Sequence, residues 1–396
     1  MLAHLCRCTG WRTIVDAASG PPAPAPLRHG DGAARRARLE GASVQRVGLD
    51  VVLGRGRFAD DHAPEGCLVA VPGAGGSWVV GESVAEARAE AGKVQGRRSG
   101  RTVSWPLDVP AGAWDVELQT TWVEPGYLET DASWCEPGGV PASPLANGGA
   151  FGAKLTSPAP GVARRLADET GRPVRVVLSR EDSVRLGPKR PPVAAGVRGD
   201  GTGVMRVVRT PGVAEAVAAV APGLVVEEVD VAGPATSAAL RGAGWVEAAV
   251  VLAAATAAPA PRDATVEIAG PGGGRASARV QVDAAGAPRR VSVRVAAGSP
   301  LDEVVLRSYA VGAAHMALSW VCSEAIAVDA DGTPEDLTIR SFGILRARDT
   351  PEVEVTIDRC VGPPVNGSDA VFAAVAAATW MAQGLPARWP TRRSDR

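Results

Sequence analysis

Aromatic residues are scarce in this 396-residue chain: ten Trp, four Phe and two Tyr make up 4% of it. Its cores must therefore be built mainly from Ala, Val and Leu. An excess of charge of either sign is also missing, with 42 Lys and Arg against 43 Asp and Glu. A net charge of -1 leaves no electrostatic footprint for nucleic acid or for an anionic membrane, and neither is expected as a partner. Long hydrophobic runs are lacking too. The longest, residues 246–260, is broken by Glu247 and ends beside prolines, whereas a membrane span takes roughly twenty apolar residues. A buried helix is expected there. No basic stretch followed by an apolar one opens the sequence, so no secretory signal is expected. Of six cysteines only Cys6 and Cys8 lie close together, which is no disulfide framework. These absences lead us to expect a cytoplasmic protein.

What is present is ordinary globular composition, 46% hydrophobic and 21% charged, in a length that suits two or three domains. Residues 2–18 read as helical, and the proline-rich run 19–27 reads as a semi-rigid tether. The expected organisation is a helical segment over 1–18, a linker over 19–32, a small α+β unit over 33–106, and larger regions over 107–262 and 263–396. In the small unit, 68–71 and 78–80 are candidate strands. Ser83 and Glu86 form a capping box that opens a helix ending near Val94. Further on, 161–169 is helical with Gly171 as its stop, and 172–179 is a strand whose proline sits near its start. Segments 263–269, 278–282 and 290–295 alternate as strands of an antiparallel sheet. Apolar residues from Leu301 to Val321 recur at helical spacing. Strands are expected over 336–340 and 353–357, and a last helix from Ser368 as N-cap to Gly384 as stop. The glycine-rich run 270–277 has strands on both sides where a dinucleotide site needs a helix, so it reads as a hairpin loop.

Four places carry residues with chemical potential. In Cys6-Arg7-Cys8, two thiolates one residue apart can ligate an iron–sulfur cluster, and the Arg between them favours the thiolate form. Cys67, Cys135, Cys322 and Cys360 have no ligand spacing and read as small buried hydrophobes. The run Asn147-Gly148-Gly149-Ala150-Phe151-Gly152-Ala153-Lys154 either lets backbone amides approach a ligand or simply turns between strands. Arg241, in Leu240-Arg241-Gly242-Ala243-Gly244-Trp245, is either a pocket residue or a surface residue at a helix N-terminus. His315 stands alone in an apolar helix and reads as a core residue.

These stretches resemble the xanthine dehydrogenase/aldehyde oxidase family of molybdenum hydroxylases. Residues 4–17, around Cys6 and Cys8, resemble the C-terminal cluster motif of the family's small iron–sulfur subunit, where such a pair completes a two-iron two-sulfur cluster. The run ending in Lys154 resembles the family's G-G-x-F-G-x-K segment beside the molybdenum. The match continues through 163–167, 170–182 and Gly187-Pro188-Lys189-Arg190. The segment at Arg241 resembles F-R-G-x-G, whose Arg lies at the substrate and cofactor pocket. Gly312–His315, Ser323-Glu324, 336–342 and 349–355 resemble the final domain. The resemblance implies an α+β fold: a short N-terminal helical segment and a compact body like abbreviated molybdopterin-binding domains, one over 107–262 and a second over 263–396. It implies cofactor contacts from Gly148, Gly149, Ala150, Phe151, Gly152, Arg241 and Gly242, and metal ligation by Cys6 and Cys8. The implied cofactors are a molybdopterin-type molybdenum cofactor and a two-iron two-sulfur cluster.

The sequence departs from the family in three ways. The second cysteine pair of the cluster is not among these 396 residues. Either another polypeptide supplies it, the recorded start falls too late, or the segment is a relic. The family's general base, a Glu in a G-E-P-P segment, is missing where Gly362 runs into Pro363 and Pro364. The nearest downstream carboxylate is Asp369, whose alternative role is to sit favourably at a helix N-terminus. Third, Leu155 stands where purine-oxidising members carry a Glu. Three functions remain in view: a molybdenum hydroxylase-type oxidoreductase subunit, a structural or assembly subunit that keeps the fold without the cofactor, or a free-standing iron–sulfur electron carrier, for which Cys6 and Cys8 alone are too few ligands. The first would hydroxylate an aldehyde or heteroaromatic carbon, a small-molecule substrate, with water, working with iron–sulfur and flavin subunits.

Overall fold

Alanine and valine dominate both the helices and the strands, and that choice sets how closely the layers pack. The computed structural model describes residues 7, 9–20, 30–44, 49–56, 58–92, 102–145, 149–257 and 262–392. In chain order its first elements are α1 (Trp11–Ser19), α2 (Gly30–Leu39), α3 (Leu49–Val52), β1 (Leu68–Pro72), β2 (Trp78–Gly81) and α4 (Val84–Ala91). The middle holds β3 (Val116–Gln119), β4 (Ala132–Cys135), α5 (Ala159–Thr170), β5 (Val174–Val177), α6 (Arg180–Leu186), β6 (Val193–Val197), β7 (Gly203–Val208), α7 (Val213–Ala218), β8 (Leu224–Val229) and α8 (Trp245–Ala257). The last third holds β9 (Val266–Ala269), β10 (Arg275–Val282), β11 (Pro288–Ala296), α9 (Glu303–Cys322), β12 (Glu352–Ile357) and α10 (Ser368–Ala382). This is the α+β architecture expected.

Three four-stranded sheets organise the body. The first runs β2-β1-β5-β4, with β1 parallel to β5, so strands from either side of position 107 share one sheet. Helices α4 and α5 cover it. The second runs β3-β6-β7-β8 and the third β12-β11-β10-β9. The three strands predicted to be antiparallel form the third sheet, and β12 joins them parallel to β11. Alternation is clean on β10 and β11: Ala276, Ala278, Val280, Val291, Val293 and Val295 face inward while the residues between them are exposed or half-buried. Onto that inner face pack α9 and α10, and one continuous core joins the second and third sheets through α8.

Helix α10 is central. Every residue from Ala370 to Ala382 is buried, and six of them are alanines between Ala373 and Ala382, so the helix can approach sheet and helices on all sides. Trp380 fills the remaining width, edge-on to Trp389 at 5.6 Å, with its indole N–H donating to the Pro386 carbonyl at 2.9 Å. Helix α9, 20 residues long, is apolar enough to cross a membrane by length and composition, yet it lies mostly buried in this core.

Some expectations need correction. Residues 336–340 form no strand; Ser341 N donates to the Thr338 carbonyl at 2.9 Å to make a turn, and Asp336 accepts from the Ala327 amide at 2.9 Å. Ser368 is the first helical residue of α10, not its cap. The free amides there are taken by Asn366, which accepts from Asp369 N at 3.0 Å, and by Glu40, which accepts from Ser368 N at 2.9 Å. Helix α4 stops at Gly92 with positive φ, short of Val94. Helix α1 is seen only from Trp11, and most of the expected start lies outside the described residues. Cys360 is exposed; the other three expected core cysteines are buried.

Trp380→Ala should cost about 3–5 kcal/mol of stability, because neighbours locked in a helix-on-sheet sandwich cannot collapse into the hole. Urea unfolding measures it. A loss below about 1 kcal/mol would mean that α10 is not the tightly packed centre described here.

Candidate functional site

Two loops meet at the centre of the molecule. The first is the turn at Gly149–Thr156; the second leads from β8 into α8 through Arg241. Arg241 N donates to Phe151 O at 3.1 Å, and the Arg241 guanidinium lies 5.1 Å from the Phe151 ring centroid. Their approach depends on Gly152. Its φ is +100°, and a Cβ there would overlap the Ala239 carbonyl. The other described glycines of the two motifs are likewise used for internal packing. A Cβ on Gly149 would strike the Gly41 carbonyl, and one on Gly242 the Trp245 indole. Ala150, Phe151 and Arg241 also have positive φ, three of the six such non-glycine residues among those described. Backbone held in this region is strained, and such residues gather where geometry is functionally constrained.

Around this junction is a cavity lined by Phe151, Leu240 and Arg241 from the loops, Met316, Trp320 and Glu324 from α9 and its end, and Phe372 from α10. Arg190 follows the end of α6, and Glu124 and Arg7 complete the lining. Its free volume is about 30 Å³, room for a single water; drug-sized ligands take several hundred. Charges fill it in pairs. Arg190 grips Glu247 through two bonds of 2.7 and 2.9 Å, donates to the Leu240 carbonyl at 2.7 Å, and stacks over Trp320 at 4.3 Å. Lys189, fully buried, meets Glu124 at 2.9 Å. Arg241 donates to Ser368 Oγ at 2.7 Å and reaches Asp369 at 3.4 Å. Arg7 forks onto both oxygens of Glu324 at 2.6 and 2.7 Å. Burial pushes the Glu324 carboxyl above its usual range, and the Arg7 charge only partly offsets this.

The predicted residues fall in three groups. Phe151 and Arg241 line the cavity together. Gly149, Ala150, Gly152 and Gly242 shape the loops behind it. Asp369 stands at the rim, about a quarter exposed, paired with Asn366 and Arg241. Cys6, Cys8 and Gly148 lie outside the described residues. Among the described residues no group of three His, Cys, Asp or Glu side chains is placed to hold a metal ion. Sequence reasoning missed Arg7, Glu324 and Glu124 as cavity residues. The available signal was a carboxylate, Glu324, at the end of a 20-residue apolar helix, where a charge needs a buried partner.

A pterin-sized group does not fit these residues. The space between the two motif loops is occupied by the Arg241–Phe151 stack, the neighbouring cations are already matched by carboxylates, and Gly149, Gly152, Gly242 and Gly244 touch protein backbone or side chains where a cradle would be open.

No protein-family model matches the chain, and no curated protein matches it in sequence. Its fold has counterparts among solved structures. Quinoline 2-oxidoreductase from Pseudomonas putida 86 superposes with a TM-score of 0.54 at 10% identity, covering 89% of this chain and 96% of that one. Aldehyde oxidoreductase from Desulfovibrio gigas gives 0.45 at 10% identity, over 70% of this chain and 60% of that one. Aldehyde oxidoreductase from Desulfovibrio desulfuricans ATCC 27774 gives 0.46 at 9% identity, over 77% and 66%. The chain therefore has the fold of quinoline 2-oxidoreductase, and the α+β body expected from the motif resemblance is borne out as a fold.

Gly152→Ala should cost about 1–3 kcal/mol, since a strained φ adds to the overlap with Ala239; urea unfolding against wild type checks it, and a neutral result would mean the loops are free to part. His315 gives a pH dependence. It is fully buried in α9, with Nε2 3.2 Å from the Leu345 carbonyl. Burial, aided by the Arg7 charge, lowers its pKa from 6.5 to about 4. Between those values the unfolded chain takes up a proton that the folded chain refuses. The His315 contribution is therefore intact above about pH 6.5, lost as pH falls, and constant below about 4. Wild type should lose about 3 kcal/mol relative to His315→Gln across that window. Parallel stability curves for the two proteins would contradict it.

Proposed function

We propose that this chain is a non-catalytic structural or assembly subunit of a molybdenum hydroxylase-type oxidoreductase, keeping the fold without seating the molybdenum–pterin itself. The observation that carries this reading is the filled junction: a free volume of about 30 Å³ between Phe151 and Arg241, with its cations neutralised from within. The general kind is supported by the fold shared with quinoline 2-oxidoreductase and by the motifs at Phe151, Arg190 and Arg241. The absent Glu before Pro363 agrees with a site that no longer performs proton abstraction. The partners in this reading are iron–sulfur and flavin subunits.

A second reading keeps catalysis: hydroxylation of an aldehyde or heteroaromatic carbon with oxygen from water, the cofactor supplying the oxidising centre. What favours it is the strained backbone retained at Ala150, Phe151 and Arg241. Molybdenum analysis separates the two readings. Purified alone and after co-expression with its genomic neighbours, the chain should carry far less than one molybdenum per molecule and should still co-purify with a partner subunit. Molybdenum approaching one per chain in either preparation would overturn the structural-subunit reading in favour of the catalytic one.

A further inference from the structure

The first sheet carries a cleft of its own, apart from the junction at Phe151. Its two parallel strands, β1 and β5, end side by side, and α4 packs on the face that carries Val69, Val71 and Val177. Beyond those strand ends, Val71 and Pro72 of β1, Arg88, Ala89 and Ala91 of α4, and Glu181 of α6 line a cleft of about 390 Å³. That volume suits a small organic molecule. The carboxyl ends of parallel strands are also where ligands generally approach an α/β sheet, because the chain turns away there and leaves a crevice.

The charges of this cleft are not matched as those of the junction are. Elsewhere around the same sheet, cation and anion meet closely: Arg172 holds Glu82 at 2.7 Å, and Arg164 holds Asp168 at 2.8 Å. Arg88, with its side chain 39% exposed, has one described ion-pair partner, Asp182, 4.0 Å away. Asp182 is committed elsewhere: its Oδ2 accepts from the Ser179 amide at 3.0 Å and from the Ser179 hydroxyl at 2.7 Å, and Arg185 lies 3.8 Å from its Oδ1. The half-buried Glu181 side chain has no hydrogen bond or ion pair among the described residues. Arg88 and Glu181 line the same cleft without pairing with each other. A purely anionic or purely cationic guest would match one of them and leave the other unmet. A zwitterion answers both, and the remaining wall of Val71, Pro72, Ala89 and Ala91 offers apolar contact.

We propose that this cleft binds a free α-amino acid with an apolar side chain. Its carboxylate takes Arg88, its ammonium takes Glu181, and its side chain lies against the apolar wall. The site is separate from the closed junction, so the inference goes beyond the structural-subunit reading and does not rest on it.

Full-length protein titrated with L-leucine, L-valine and L-methionine, by calorimetry and thermal unfolding, tests this. At least one of the three should bind saturably and raise the Tm, as a ligand of the folded state does. Analogues of that amino acid lacking either the amine or the carboxylate (3-methylbutylamine and 4-methylpentanoate for leucine) should bind at least about tenfold more weakly, each leaving one charge unmet. Arg88→Gln and Glu181→Gln should each weaken the amino acid by about the same factor while keeping the wild-type Tm without ligand, since neither side chain has a close partner to lose. If either variant fails to fold, the analogues decide the matter on wild type alone. No saturable binding of any of the three amino acids below about 10 mM, one-charge analogues that bind as tightly, or binding unchanged in both variants would overturn the proposal. Molybdenum content does not enter these readouts, so this inference and the structural-subunit reading fail separately.

Discussion

The Arg190 guanidinium is the interaction on which the centre of the molecule depends. It adds a polar bridge to helices that already pack through α10: its fork fixes Glu247 on α8, its outer edge takes the carbonyls of Leu240 and Arg241, and its face covers Trp320 of α9 and Phe372 of α10. Glu247 in turn accepts the Gly244 amide at 2.8 Å, which closes the start of α8. A buried pair of this kind adds little net stability over an apolar substitute, but losing one partner strands the other at a cost of about 3–5 kcal/mol. It therefore acts mainly as a constraint on geometry. The loop carrying Arg241 can take only the course that presents its carbonyls to Arg190, and that course brings Arg241 onto Phe151.

Scarcity of aromatic residues makes the lining of this cavity stand out. Only four Phe occur in the chain, and Phe151 and Phe372 both line this one space, with Trp320 stacked on Phe372 at 5.1 Å. Elsewhere alanine and valine make up most of the core, with Trp122, Phe342, Trp380 and Trp389 as the other fully buried aromatics. Phe151, Phe372 and Trp320 gather at the cavity beside backbone held at positive φ, and the charges around them are paired within the chain. Glu40 contributes from the outside by taking the free amides of α10, while Arg36 ties the same residue to the carbonyls of Ser299 and Val365. Helix α2 is thus a clamp on the rim, in a stretch whose sequence reads as linker and the start of the small α+β unit.

Local chemistry made much of the fold legible. Period-two alternation located β10 and β11, glycine punctuation ended α5, and apolar spacing found α9, because each signal is written within a few residues of its effect. The motif loops at Phe151 and Arg241 were legible as partners through family resemblance alone, since nothing local says that Gly152 must make room for Ala239. The Arg7–Glu324 pair was not legible at all. Its members lie 317 residues apart, and a charged residue beside two cysteines draws attention to the thiols. The failed strand at 336–340 has a similar cause. Its alternation is adequate, but the segment joins none of the three sheets, and its polar groups are met by side chains and a turn: Asp336 takes the Ala327 amide and Ser341 donates to the Thr338 carbonyl.

The first sheet has a consequence for how the protein is made. β1 can pair with β2 as soon as both have emerged from the ribosome, but its other edge waits for β5, where Leu68 aligns with Val174, and β4 attaches only through β5. Between those strands the nascent chain must keep a Val- and Ala-rich edge unpaired while more than a hundred residues are added. During that interval a chaperone, or slow association with a neighbour, has its best opportunity to act. Vectorial synthesis thus leaves the completion of this sheet waiting on strands from both sides of position 107.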